Sequence, residues 1–374
     1  MTTERLHPRA LSVLLGLAAF TVAMAGVKGI SGILGPTFLA LVLIITVYPV
    51  RVWLVRRGVP GILASTVLLL SVYLLMVLIT LALVVSVGRL AVLIPDYTPQ
   101  INGYIHDVAD WLQARGVGDK QVNAITSQFN VGSLVGVATS ILSGALGVLS
   151  DLFFIATLLL FLAFDSAPAM HALGALGDRK PDMVDALANF ARGTRSYMAV
   201  SAGFGFVVAV IDSAALVIMG VPGAFIWGVL SFVTNFIPNI GFVIGVIPPA
   251  LIALLDGGPG LMIAVVVMYV VVNFLIQTVI QPRIVGDAVG LSATLTFLSL
   301  VFWSWAIGPL GALLAVPLSL LLKSLLIEAD PEARWLLPLI SGKPEAEARE
   351  EAGLDADPEP AETEAPETEP EPAE

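Results

Sequence analysis

Residues 62–88 run for 27 positions without one charged side chain. As a helix at ~1.5 Å per residue the run reaches about 40 Å, longer than the ~30 Å hydrocarbon core of a bilayer. It is therefore read as a tilted or protruding membrane helix. The rest of the chain agrees: 57% of its 374 residues are hydrophobic, 13% are charged and the mean hydropathy is +0.93. A water-soluble domain of that composition would aggregate, so the fold class expected is all-α, a polytopic helical membrane protein.

Further apolar runs cover 10–27, 33–50, about 134–164, 197–219 and 261–281. The first follows Arg5 and Arg9 and contains Ala23-Met24-Ala25, the pattern of a cleaved signal peptide. A retained span is preferred, because a second apolar run follows at once and a polytopic chain needs no cleaved signal. Placing the N-terminus in the cytoplasm assigns thirteen Lys and Arg residues to cytoplasmic segments and four (Lys28, Arg89, Arg115 and Lys120) to the outside. Both termini are thus expected in the cytoplasm.

The expected order begins with a cytoplasmic N-terminus (1–9) and three spans (10–90). Extracytoplasmic amphipathic helices (91–133), a span (134–164), a cytoplasmic helical connector (165–196) and another span (197–219) follow. A first broken segment (223–255), a span (261–281), a cytoplasmic loop (282–290), a second broken segment (291–326) and a cytoplasmic stretch (327–343) complete about eight membrane segments. Ile101, Ile105, Val108 and Leu112 recur at three or four residues, the stripe of an amphipathic helix. Residues 344–374 hold 13 acids and one base, Arg349, with few large apolar side chains, so this tail is expected to be disordered. Without the tail the chain is near neutral, despite a formal charge of −11.

The broken segments are the informative ones. "FIPNIGFVIGVIPPALIALL" (236–255) is interrupted by Pro238, Asn239, Gly241, Gly245, Pro248 and Pro249. It splits 223–255 into halves of ~21 Å, too short to cross alone. "WAIGPLGA" (305–312), with Gly308, Pro309 and Gly311, and then Pro317, does the same to 291–326. At an offset of 70, Ile237, Gly241 and Val246 fall on Ile307, Gly311 and Val316, a weak internal repeat. Each segment fits a kinked full span or a re-entrant hairpin with its tip at mid-membrane. Irregular backbone in a bilayer must be buried in protein or line a wet cavity, and paired interrupted segments point to a transport site. Packing relief is the plainer alternative.

Polar side chains gather on the same segments. Asn273, Gln277 and Gln281 are spaced by four, as are Ser231 and Asn235 leading to Asn239; Ser292, Thr296 and Ser299 mark a third face. Three polar faces are expected to meet, either as a solute site or as hydrogen bonds joining helices. Arg283 serves an electron-rich solute or pairs with Asp287. Asp212 and Asp151 are the intramembrane acids, candidates for ion coupling or solvated carboxylates.

Cysteine is absent, and His7, His106 and His171 all lie outside the apolar runs. This leaves no thiolate chemistry, no intramembrane zinc ligand set and no histidine relay. No GxxxxGK[ST] motif occurs, so a gradient rather than ATP is the expected energy source. No enzyme activity, cofactor, metal or nucleic acid partner is expected.

"ARGTRSY" (191–197), "MGVPGAFIWGVLSFVTNFIPNIGFVIGVIPP" (219–249), "QPRIVGDAVGLS" (281–292) and "IGPLGALLAVPLSLLL" (307–322) make the chain similar to the autoinducer-2 exporter (AI-2E) family of bacterial permeases. Pro238, Gly241, Pro282, Arg283, Gly286, Gly311 and Pro317 match its pattern; the tail beyond about 343 does not. The resemblance implies a secondary-type transporter of a small polar solute, autoinducer-2 among the candidates, and a homo-oligomer. Sodium/proton antiport, known among members, is the alternative within transport, and a non-transporting membrane scaffold is the alternative outside it. The expected solute contacts are Asn235, Asn239, Asn273, Gln277, Gln281 and Arg283. The expected helix breaks are Pro238, Gly241, Pro248, Gly308, Pro309, Gly311 and Pro317.

Overall fold

The computed structural model describes residues 9–93, 97–126, 131–177, 179–238, 240–281 and 290–341, and all regular structure among them is helical. Asn239, Arg283 with its neighbours 282–289, and the acidic tail lie outside the described residues. The helices are α1 (Arg9–Gly29), α2 (Ser31–Arg56), α3 (Gly61–Leu93), α4 (Thr98–Gln113), α5 (Asp119–Thr126), α6 (Val131–Gly177) and α7 (Pro181–Ile218). The C-terminal part holds α8 (Ala224–Thr234), α9 (Gly241–Asn273), α10 (Ala293–Ile307), α11 (Pro309–Leu313) and α12 (Ala315–Lys323). Single π-helical stretches, Phe274–Ile280 and Ser324–Glu328, extend α9 and α12.

Among the described residues four helices are long and apolar enough to cross a bilayer: Ser31–Arg56, Gly61–Ala82, Pro181–Ile218 and Gly241–Ile280. Leu14–Gly29, α8 and α10 are shorter apolar helices. Large hydrophobic side chains such as Phe153, Phe225 and Ile218 face outward, while Asp212, Ser231 and Asn273 are buried. Lipid solvates the former, so burial inside this chain selects for close packing and polar satisfaction rather than for apolarity.

Over residues 165–196 the chain is helical on both sides of a short turn: α6 continues to Gly177 and α7 starts at Pro181. Pro181 occupies the first turn of α7, where its missing N–H costs nothing. Inside α2, Pro49 cannot donate to the carbonyl four residues earlier. That carbonyl, on Ile45, instead receives a bond from Arg195 Nε at 3.3 Å, which ties "ARGTRSY" on α7 to α2.

Each interrupted segment folds into a helix–turn–helix pair. In the first, α8 ends at Thr234, residues 235–238 turn, and the start of α9 packs back on α8. A Cβ on Gly241 would sit 1.9 Å from the Thr234 carbonyl oxygen, and one on Gly245 would meet Thr234 Oγ1 at 3.0 Å. In the second, α10 ends at Ile307, Gly308 turns with φ 80°, and α11–α12 return along α10. A Cβ on Gly311 would sit 1.9 Å from the Trp303 carbonyl oxygen, and Trp303 Nε1 donates to Ser319 Oγ at 3.0 Å across the pair. The two glycines aligned by the offset of 70 therefore have the same structural job. Pro248 belongs to no break: α9 passes through Pro248 and Pro249 and is interrupted only at Gly258 (φ 79°, ψ −175°).

Two cores hold the pairs. One gathers Phe38 and Val42 of α2, Ile155 of α6, Tyr197 of α7, and Trp303, Ile307 and Leu314 of the second pair; Phe236, Ile237 and Ile240 from the first turn pack against it. The tips of both pairs thus share one apolar layer. The other core joins α4 to the far end of the first pair through Ile101, Leu216, Trp227 and Ile252. There Tyr104 donates to the Leu254 carbonyl and Tyr97 to Asp256, both at 3.3 Å, beside the Gly258 break.

If the glycine contacts hold the pairs closed, Gly241→Ala and Gly311→Ala each lower the thermal midpoint of the detergent-solubilised protein, by an equivalent of about 1–3 kcal/mol. Gly32→Ala, whose Cβ would meet nothing within 4 Å, leaves it unchanged. Equal midpoints for all three would remove the close-contact explanation.

Candidate functional site

The site grows from a stripe of small residues. Ser201, Gly205, Ala209 and Ser213 follow one another at four-residue spacing on α7, and Ala209 and Ser213 meet Gly228 of α8. A Cβ on Gly228 would lie 2.8 Å from the Ala209 carbonyl oxygen, so the two backbones pass in near contact, as small residues permit in membranes. Gly205 leaves room for the side chain of Asn235, whose Nδ2 would be 2.9 Å from a Cβ there.

Through that gap Asn235 Nδ2 donates to the Ser201 carbonyl at 3.1 Å. Gln277 Nε2 donates to Asn235 Oδ1 at 3.0 Å and to Asn273 Oδ1 at 3.1 Å. Asn273 Nδ2 in turn donates to the Tyr269 carbonyl at 2.9 Å, and Ser231 Oγ donates to the Tyr269 hydroxyl at 3.2 Å. Nearby, Tyr197 donates to the Phe236 carbonyl at 2.7 Å and so fixes the turn itself. Asp212 is not bonded into this chain: it is 0% exposed and has neither carboxylate oxygen in hydrogen-bonding geometry with a partner. Ser231 lies beside this carboxylate.

Of the residues expected from the sequence, Asn235, Asn273 and Gln277 are brought together. Gln281 is half-buried at the end of the π-helical turn and is not joined to them among the described residues. Asn239 and Arg283 lie outside the described residues. The third polar face does not join: Ser292 caps α10 by accepting from Leu295 N at 3.3 Å, Thr296 donates to the Ser292 carbonyl at 3.0 Å, and Ser299 is buried apart. Asp151 is half-buried on α6, away from this chain of bonds.

Ser201, Tyr197 and Tyr269 were not singled out from the sequence. Ser201 meets Asn235 through its backbone carbonyl, which no side-chain pattern reveals. Tyr269 is four residues before Asn273, on the same helix face, and that spacing was the available signal.

The larger cavities lie elsewhere. One of about 690 Å³ runs along α10 and α12, lined by Leu295, Trp303, Leu322 and Lys323; one of about 750 Å³ lies between α3 and α8. Both are walled almost wholly by apolar side chains, which offer a polar solute no partners. In the first wall Lys323 is already paired with Glu328 at 3.1 Å.

The family model described as "AI-2E family transporter" matches residues 11–329. The chain belongs to the AI-2E transporter family. The AI-2 transport protein TqsA of Escherichia coli K12 is 27% identical over 313 residues, covering 84% of this chain and 91% of that protein. The putative transport protein YhhT of the same organism is 25% identical over 349 residues, 92% and 99% of the respective chains. A putative transport protein of Haemophilus influenzae is 28% identical over 323 residues, 85% and 92%. The protein is thus a multi-pass membrane permease of a small solute. In this AI-2E transporter the match takes in both helical pairs and the bonded amides, and stops short of the acidic tail.

A double-mutant cycle on Asn235→Ala and Gln277→Ala is expected to return a coupling of about 0.6 kcal/mol in unfolding free energy, the scale of an interhelical hydrogen bond in a membrane. Additive losses would mean that the 3.0 Å contact does not hold in the protein.

Proposed function

We propose that this permease exports a small polar solute across the bacterial inner membrane through the contacts of Asn235, Asn273 and Gln277. The carrying observation is the bonded chain Ser201–Asn235–Gln277–Asn273, which bridges α7, the first turn and the helix after Gly258. Each amide has both donor and acceptor atoms, so a hydroxyl- or carbonyl-rich solute can replace the neighbouring amide bond for bond. That exchange lets the solute unlock the turn from α7, and the solute's own contacts offset the bonds lost. Asn239 and Arg283 are placed by the sequence next to the same turn and loop, and belong to the proposed contact set.

The two helical pairs would enter as re-entrant hairpins whose tips meet at mid-membrane. Their shared apolar layer of Phe236, Ile237, Ile307 and Trp303 supports this reading, since it forms a dry seal beside the amide chain. Pro238, Gly241, Gly308, Pro309, Gly311 and Pro317 shape the two arms of that gate, and rigid-body motion of the first pair against α7 and the second pair provides alternating access. The cytoplasmic placement of both termini follows from the Lys and Arg distribution.

Because TqsA is named an AI-2 transport protein, autoinducer-2 is the solute to try first. Cells expressing the protein should release it faster than cells without, and Asn235→Ala combined with Gln277→Ala should cut that release by about tenfold or more, the effect of ~1.4 kcal/mol. Wild-type release from the double variant, at equal expression, would end the assignment of these residues. Placement is tested separately in this cysteine-free chain: Pro222→Cys and Gly257→Cys are both expected to react with a membrane-impermeant reagent from outside. Labelling from opposite sides would make the first segment a kinked span.

A further inference from the structure

A carboxylate sealed inside a membrane protein is tolerated as an ion only with a counter-charge or several donors. Asp212 has neither. Its side chain is wholly enclosed, both oxygens lack a hydrogen-bond partner, and the two ion pairs among the described residues, Lys323–Glu328 and Arg334–Asp182, leave it out.

The surroundings extend the point. Of the elements packed on α7, α8 and the π-helical stretch 274–280 bear no ionisable side chain. α9 presents Tyr269, and Asp256 beside its kink accepts from Tyr97. On α12 and its π-helical extension Lys323 and Glu328 are spent on each other. On α2, Arg51 bonds Ser65 at 2.7 Å, and that helix also carries Tyr48 and Arg56; α6 carries Asp151, Asp165 and His171. Arg195, on α7 itself, bonds Ile45. No described cation forms an ion pair with the acid; Ser231 beside it donates to the Tyr269 hydroxyl, and the Tyr269 carbonyl accepts from Asn273, which Gln277 joins to Asn235. Along α7, Asp212 and Ser201 flank this polar thread, about eleven residues or ~16 Å apart.

We infer that Asp212 is a proton-carrying residue that couples inward proton movement to outward solute movement through the polar thread from Ser231 to Asn235. With the pairs closed, the carboxyl holds a proton and is neutral. When the solute separates Asn235 from Gln277 and α8 shifts on α7, Ser231 and water reach the carboxyl, which releases the proton as an ion that water now solvates. The proton leaves to the cytoplasmic side; once the solute has left to the outside, the acid is reprotonated from there before the site closes again, so one proton moves inward per cycle and nothing is oxidised or reduced. This inference rests on the transport reading above for its solute, but the state of Asp212 is measured without one. Between the two intramembrane acids it selects Asp212, which is wholly enclosed beside Ser231, over half-buried Asp151.

Two measurements test it. In purified protein in lipid nanodiscs at neutral pH, the infrared spectrum should show the carbonyl stretch of a protonated carboxyl that resists exchange in heavy water and is missing from Asp212→Asn. In vesicles loaded with autoinducer-2, wild-type export should slow as the external medium is made more alkaline and the inward proton gradient falls. Asp212→Asn should retain exchange of labelled for unlabelled solute down a gradient but lose both concentrative export and the pH response, while Asp151→Asn keeps them. A missing carboxyl band, or an Asp212→Asn variant that concentrates solute like the wild type, would overturn the inference. If the wild type moves no autoinducer-2, the choice of that solute fails, and the infrared band alone decides whether Asp212 carries a proton.

Discussion

Interrupting a helix within a bilayer strands backbone amides and carbonyls where lipid can offer them nothing. Everything distinctive about this chain answers that problem. Gly241 and Gly311 bring the returning arm of each pair against the carbonyl end of the outgoing arm, closely enough that no side chain fits between. Tyr197 and Arg195 then take up the Phe236 and Ile45 carbonyls from the neighbouring helices. The remaining helices pack around these contacts through two apolar cores, with Ser201, Ser231 and Asn273 buried beside them.

The same need to satisfy polar groups links fold to proposed mechanism. Asn235 is held by a backbone carbonyl on one side and an amide side chain on the other, so the turn cannot move without exchanging both bonds. Such bonds are individually worth only ~0.6 kcal/mol in membranes. They are weak enough for a solute to replace and directional enough to define one closed arrangement. A hydrophobic plug would seal the turn equally well but would give a polar solute nothing to compete for.

Much of this was legible before any coordinates. Apolar runs and the breaks at Pro238 and Gly308 located the paired segments, because interrupted hydrophobicity is a strong local signal, and the four-residue spacing of Asn273 and Gln277 announced a polar face. What sequence could not supply was partnership. Ser292 and Thr296 looked like a third contributing face, yet both spend their hydroxyls on their own helix, as hydroxyl side chains near a helix start commonly do. Pro248 looked like a break and is not one, since prolines are tolerated within membrane helices when neighbouring groups satisfy the freed carbonyls. Ser201 acts through its backbone, and the stripe of small residues that admits Asn235 has meaning only once α8 lies against it.

The two pairs share a geometry and differ in chemistry, which bears on how a cycle would divide labour between them. The first carries the amide thread and lies beside the enclosed acid on α7. The second is apolar at its tip, and its polar groups are internal ties: Trp303 to Ser319 across the arms, and Lys323 to Glu328 and to the Gly290 carbonyl at its base. Breaking the Lys323–Glu328 pair without rehydrating either ion would be costly, because removing one partner leaves the other charge buried. The second pair is therefore the stiffer of the two, internally braced and anchored at its base. A site that opens by exchanging weak amide bonds works best against a partner that does not yield. The first pair fits the moving element and the second the fixed wall against which its tip closes.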